Sequence, residues 1–240
     1  AQSVTLPGSQ VVIERFIHGT EYSAEVLVWA GRTSVVCIGE NIKQPYPHRV
    51  NLSIHYPAPF TATQQTLIDT MCQQAVTARG ITQGVAHIEF AWTTEGPVLF
   101  ELGARCGGGH IPLIAHHVSS VPEFIEACRM ACGLAPEHPR PVTVRGAEYR
   151  FLSFPPGIVG SAYIPEAVRN HSDILDIDIT VCAGDVVGPL QATADRTGFV
   201  VAIGENCSTA LRHADWACEQ ITLTYTDGRV EGPLQLWTMM

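Results

Sequence analysis

The chain has 240 residues, 46% of them hydrophobic and 15% charged, which supplies enough apolar material for one large domain or two small ones. A formal net charge of −9 excludes a broad nucleic-acid or anionic-membrane surface, since those partners need a basic face, but leaves room for a small anion held locally. No apolar run approaches the length of a membrane span and no signal-peptide pattern opens the chain, so the expected compartment is cytoplasmic.

In chain order, residues 1–10 read as a loop and residues 11–17 (VVIERFI), β-branched and aromatic, predict a strand. After a bend at His18-Gly19-Thr20, residues 21–30 (EYSAEVLVWA) alternate as a second strand. Gly31-Arg32 fits a tight hairpin turn, and residues 33–39 return as a third strand. Residues 40–48, with two prolines, read as an irregular loop, and residues 50–56 as another strand. Residues 61–79 carry Leu67, Ile68, Met71, Cys72, Ala75 and Val76 near helical spacing and stop before Gly80, which predicts a helix. Strands over 85–92 and 98–102 joined by a turn follow, then helices over 111–118 and 122–132, the second closed by Gly133. A proline-rich linker, LAPEHPRP, precedes strands at 147–154, 158–164, 174–182 and 198–203 and a helix over 209–221. The pattern is α+β with antiparallel pairing, divided at the linker into segments 1–135 and 136–240. The eight cysteines have irregular spacing and no CxxC, and read as buried thiols rather than a disulfide framework.

The stretch GVAHIEFAWTTEGPVLFELGARCGGGH carries the strongest chemical signal. Its turn, Thr94-Glu95-Gly96-Pro97, is made of turn-forming residues, and a hairpin of this length brings Glu89 and Glu101 together on neighbouring strands. Both lie in apolar runs, AHIEFAW and PVLFELGA, where a carboxylate needs a partner. Adjacent carboxylates repel unless a cation sits between them, and the arrangement suits Mg²⁺ completed by phosphate and water. Behind them, Arg105 is placed to hold phosphate bidentately, and Gly107, Gly108 and Gly109 let backbone amides approach a ligand at a helix start. This is not a P-loop, because no Gly-Lys-Ser/Thr follows. Glu14 and Glu21 lie in the first strand pair, and Lys43 and His55 lie in or beside the proline-containing loop. A single histidine at such a position reads first as a hydrogen-bonded structural residue.

Taken together, VVIERFIHGTEYSAEV, the HIEFAW…VLFELGARCGGG hairpin and the helical segment after it resemble the C-terminal half of an ATP-grasp domain, over residues 11–133. The remainder, with RFLSFPPGIVGSAYIPE and TGFVVAIGENCSTALRHADWA, is similar to the C-terminal lobe of the amino-acid-ligase branch. The resemblance implies an antiparallel sheet with packed helices plus a smaller α+β lobe, and a carboxylate–amine ligase working through an acyl phosphate. It implies that Glu14 and the backbone of Arg15, Phe16 and Ile17 hold adenine, that Glu21 holds the ribose, and that Lys43 is a further nucleotide contact. Glu89 and Glu101 would bind Mg²⁺ (or Mn²⁺), Arg105 would stabilise the transition states, and His55 in IHYPAP would assist catalysis. Gly107, Gly108 and Gly109 would face the substrate, with Gly109 leaving room for a larger side chain. Where many members have a third metal ligand as asparagine, this chain has Gly103. The implied partners are ATP, a small carboxylate, a small amine and the N-terminal half of the same enzyme, and the resemblance admits a homodimer. Without that half, these residues are expected to turn over little substrate. Two alternatives stay open: a carboxylase or carbamoyl-phosphate-synthase-like enzyme acting on bicarbonate, and a non-catalytic nucleotide-binding module.

Overall fold

A computed structural model describes residues 13–138, 143 and 145–236. Strand β1 (Thr20–Trp29) and strand β2 (Arg32–Lys43) form a hairpin with Trp29 opposite Arg32. The turn therefore falls on Ala30 and Gly31, one residue earlier than the sequence suggests, with φ of 51° and 73°. A two-residue turn that follows the strand twist needs positive φ at both central positions, and that requirement sets its place.

Two further expectations change here. Residues 40–43 do not form a loop: they extend β2, pairing Asn41 with Glu21 and Lys43 with Asn51 of β3 (Asn51–Tyr56), so the prolines lie just beyond the ladder. The strand expected over 11–17 is also absent where it is described. Residues 13–18 have no ladder partner, Ile13 is 92% exposed, and residues 11 and 12 lie outside the described residues. Apolar β-formers make a strand only against a partner, and both edges of β1 are taken, by β2 and by β4 (Gly84–Thr93).

Helix α1 (Ala62–Ala78) starts at a capping box in which Thr61 and Gln64 satisfy each other's backbone N–H groups. Strand β5 (Gly96–Gly103) completes the second hairpin, followed by α2 (Ile111–Ser119) and α3 (Glu123–Ala131). The chain then runs through β6 (Gly146–Leu152), β7 (Gly157–Tyr163), α4 (Glu166–Arg169), β8 (Ile174–Ile179), β9 (Val186–Val187), β10 (Gly198–Gly204), α5 (Cys207–Gln220), β11 (Thr222–Tyr225) and β12 (Val230–Glu231).

Among the described residues the strands form an eight-stranded antiparallel sheet in the order β5-β4-β1-β2-β3-β6-β10-β8, and a four-stranded sheet in the order β12-β11-β7-β9. The large sheet passes without a break across residue 135, because β6 pairs with β3. Side chains alternate between its faces. On one face α1 covers Tyr22, Ala24, Ile38, Ile88 and Phe90, and fully burying a side chain such as Phe90 contributes about 1.5–3 kcal/mol. On the other, α2 and α3 cover Leu27, Cys37, Ile54, Val85, Tyr149 and Val201. Helix α5 packs beside α1's face on β6 and β10 and is pinned there by Arg150, which is 1% exposed and joins Glu148 of β6 to Asp215 of α5. All eight cysteines are free thiols, but Cys128, Cys132 and Cys182 are exposed rather than buried. No helix of the described residues is long and apolar enough to cross a membrane.

The contact between β6 and the start of α5 leaves no room for a side chain. A Cβ at Gly146 would lie 2.1 Å from the carbonyl carbon of Asn206 and 2.2 Å from the nitrogen of Cys207. Gly146→Ala is expected to lower stability by at least about 1–3 kcal/mol. Gly188→Ala, where a Cβ meets nothing within 4 Å, should stay within about 0.5 kcal/mol. Denaturant unfolding of both variants checks this, and equal midpoints would contradict the packing described.

Candidate functional site

The β4–β5 turn is fixed by the Thr93 hydroxyl, which donates to the Gly96 carbonyl (2.9 Å) and accepts from the Glu95 amide (3.1 Å). That turn sets the register in which Glu89 stands directly opposite Glu101, so both carboxylates project from the same face of the ladder. This is the α2/α3 face. Glu101 is exposed and Glu89 half-buried.

Two residues before Glu89 on the same face is His87, buried, with Nδ1 2.5 Å from Glu25 Oε1 and Nε2 3.3 Å from Glu89 Oε1. Burial works against the imidazolium, but the hydrogen bonds and charges of Glu25 and Glu89 outweigh it and push the His87 pKa up to about 9. His87 is then a cation at neutral pH, donating from both ring nitrogens. In return its hydrogen bond holds Glu89 below the usual carboxylate range against the pull of burial, helped by the charges of Lys43 and Arg105. Glu25, 1% exposed on β1, accepts a second hydrogen bond from the Gly107 amide at 2.9 Å. Next to this group Glu123 of α3 is also 1% exposed, and burial together with the Glu25 charge raises its pKa to about 9.

A hollow of about 280 Å³ opens here, and Asn41, Asn51, Glu89, Arg105, Tyr149 and Arg196 are among the residues that line it. Arg105 comes off the bend after β5, its Nη1 donating to the Cys106 carbonyl at 2.9 Å. Its stem lies over Gly103, where a Cβ would come within 3.3 Å of Arg105 Cγ and Nε. Gly103, where the resemblance gives many members an asparagine, is thus covered by Arg105. A hollow of about 640 Å³ lies elsewhere, between β2 and α1, and is lined by none of the expected site residues. The smaller one is the candidate site, because carboxylate, arginine and glycine bend converge there.

The structure distributes the expected residues unevenly. Gly108 and Gly109 line the hollow with Arg105 and Glu89. Gly107 does not present its amide to a ligand, because Glu25 takes it. Gly109 has φ of 59°, and a Cβ there would lie 2.6 Å from the Tyr149 hydroxyl, so the tyrosine takes the space that a side chain at 109 would fill. Glu21 is paired with Lys43 and with Arg49 (2.7 Å); burial is the largest single effect and works to raise its pKa, but the hydrogen bonds and charges of the two cations together outweigh it and lower the pKa. Arg15, Phe16 and Ile17 line a separate hollow of about 210 Å³ against the β4–β5 turn, while Glu14 is exposed. His55 is in register with Glu40, Tyr22 and Phe90, on the face opposite Glu89. There it bonds Ser53 at 2.9 Å, and burial, then the charge of Arg150, takes its pKa down to about 4. A neutral imidazole on the far side of the sheet does not reach the hollow.

Sequence reasoning missed Glu25, His87, Asn41, Asn51, Tyr149 and Arg196. His87 carried a usable signal, since period-two alternation puts it on the face of Glu89. Arg196 carried none, being 145 residues from Asn51, whose carbonyl it bonds.

Comparison with known proteins follows these lines. Residues 2–112 match the ATP-grasp domain family and residues 150–226 match the family described as L-amino acid ligase C-terminal domain 2. The uncharacterized protein y4rH of Sinorhizobium fredii is 29% identical over 208 residues, covering 84% of this chain and 41% of that protein. Dapdiamide A synthase of Enterobacter agglomerans is 24% identical over 218 residues, covering 83% of this chain and 49% of that protein. The crystal structure of an L-amino acid ligase from Bacillus licheniformis superposes with a TM-score of 0.78 at 20% identity, over 88% of this chain and 55% of that one. The chain thus spans about half the length of these relatives.

The buried charges make stability depend on pH. His87, raised from 6.5 to about 9, contributes fully below about pH 6.5 and loses its contribution as pH climbs through about 9. Glu123, raised from 4.5 to about 9, is folded most favourably as the neutral acid, so it costs stability increasingly as pH rises above 4.5. Both effects run the same way, and unfolding temperature should fall between pH 6.5 and 9. Glu123→Gln, neutral throughout, should flatten that fall and gain on the order of 2 kcal/mol at pH 7. Thermal melts across pH test this; parallel profiles for variant and wild type would remove Glu123 from the cluster.

Proposed function

The chain is a member of the ATP-grasp superfamily, and from that premise we propose that it forms one wall of the active site of an ATP-dependent ligase joining a small carboxylate to an amine, with amino acids as the substrate class. The observation that carries this reading is the hollow where Glu89, Arg105 and the Gly108–Gly109 bend meet, on a sheet that continues into the segment matching an L-amino acid ligase C-terminal domain. The same match favours an amine acceptor over bicarbonate.

In this reading the backbone of 15–17 takes the adenine edge, and Glu21, oriented by Lys43 and Arg49, takes the ribose. Two carboxylates opposed in register and open to solvent fit a hard cation that keeps water and phosphate as its remaining ligands. Glu89 and Glu101 would hold Mg²⁺ (or Mn²⁺), which when bound neutralises charge on the β- and γ-phosphates. His87 keeps Glu89 ionised and aimed. The substrate carboxylate attacks the γ-phosphorus, forming an O–P bond as ADP leaves, and gives an acyl phosphate. The amine then attacks the acyl carbon, the C–N bond forms, phosphate departs and the amine gives up a proton. Arg105 faces the transferring group and disperses its charge in both steps. The remaining wall, with the N-terminal part of the fold, would come from the rest of a longer protein of the length of its relatives.

A phosphate-release screen of the complete protein against pairs of amino acids tests the activity. Glu89→Gln and Glu101→Gln should each reduce release by at least about 10³-fold, and Arg105→Lys by about 10²-fold, because a point charge does not reproduce the guanidinium fork. Unchanged release in any of the three would remove that residue from the assigned role.

A further inference from the structure

We propose that the hollow beside Glu89 holds the amine-donating amino acid, its free carboxylate on Arg196 and its amine on the side-chain oxygens of Asn41 and Asn51. This rests on the ligase reading and names the residues that choose its second substrate.

Four residues lining this one hollow carry a buried side-chain atom without a hydrogen-bond partner: Arg196 at Nε, Asn41 and Asn51 at Oδ1, and Ser23 at its hydroxyl. Buried polar groups are seldom left unpaired, and such groups converging on a cavity point to a ligand that completes them. A cation and two acceptors match the two ends of an α-amino acid. Arg196 is also held ready. Its Nη2 donates to the Asn51 carbonyl at 2.7 Å and its guanidinium lies 3.7 Å over the Phe151 ring, which fixes the plane of the fork while Nε has no hydrogen-bond partner. None of the ion pairs among the described residues involves Arg196. Burial lowers its pKa to about 10, so it still carries its charge at neutral pH.

The chemistry of ligation divides the two arginines. The carboxylate that is activated must lie at the phosphoryl end, with Glu89, Glu101 and Arg105. A second amino acid keeps its own carboxylate through the reaction, and that negative charge needs a different cation, which Arg196 supplies. About 280 Å³ is just below the roughly 300–1,000 Å³ of pockets for drug-sized ligands, so the hollow suits an amino acid rather than a nucleotide. Tyr149 and Phe151 give it aromatic walls for the side chain.

The test is equilibrium titration of the complete protein with L-amino acids and with the matching α-carboxamides, comparing wild type, Arg196→Gln, Arg196→Lys and Arg105→Lys. Wild type should bind at least one free acid about tenfold or more tightly than its amide. Arg196→Gln should erase that preference with ATP binding retained, Arg196→Lys should keep part of it, and Arg105→Lys should keep most of it. If the glutamine variant does not fold, the lysine variant decides by the same criterion. No acid preference in wild type, a wild-type preference in the Arg196 variants, or a preference lost only in Arg105→Lys would overturn the proposal. Phosphate release is read separately. Acid preference that depends on Arg196 without amino-acid-dependent release keeps this site and rejects the ligase. Release in which amide and acid serve equally as amine donor keeps the ligase and rejects this site.

Discussion

The candidate site depends on one buried carboxylate, Glu25. It lies in the middle of β1, 1% exposed, and its two oxygens are spent on His87 of β4 and on the Gly107 amide. A buried carboxylate without partners is among the most costly features a fold can contain, and breaking a buried pair typically costs about 3–5 kcal/mol. The partners are therefore held firmly, and each carries something useful. His87 passes the constraint on to Glu89, and Gly107 ties down the bend that presents Arg105 and Gly108. One side chain thus links the carboxylate wall and the arginine wall of the same hollow.

The large sheet is the platform on which this works. Glu21, Asn41, Ile54, Tyr149 and Val201 stand in one row across β1, β2, β3, β6 and β10, so residues far apart in the chain share a face. The adjacent row, Tyr22, Glu40, His55, Glu148 and Ala202, faces the opposite way, toward α1 and α5. There the polar groups are structural: Arg150 ties Glu148 to Asp215, and His55 is neutral beside them. A shift of one residue along β6 separates Tyr149, which lines the hollow, from Glu148 and Arg150, which hold α5.

Much of this was legible locally. The β4–β5 hairpin and the Glu89–Glu101 pairing followed from turn chemistry and alternation within twenty residues. Helix α1 followed from its apolar spacing and capping residues. The short elements α4, β9, β11 and β12 span two to four residues and carry no periodicity to detect. Residues 13–17 look like a strand by composition, yet they have no ladder partner, and both edges of the neighbouring β1 are occupied. Burial of Glu25 was hidden because an acid in an alternating strand normally faces solvent, and its partners lie 62 and 82 residues away. Arg196 was hidden for the same reason: its meaning depends on Phe151 and Asn51, which only the fold brings to it.

Gly109 and Tyr149 illustrate what such packing does to the paths open to this protein. With φ of 59° and the tyrosine hydroxyl 2.6 Å from where a Cβ would stand, position 109 cannot gain a side chain while Tyr149 keeps its own. His110, whose Nδ1 lies 3.2 Å from that hydroxyl, is drawn into the same bargain through its contact with Asp176. The two positions are therefore sterically coupled: trimming the tyrosine would remove the clash at 109 but not the strain of its positive φ. The size of the hollow at this end is thus set jointly by two residues forty apart in the chain.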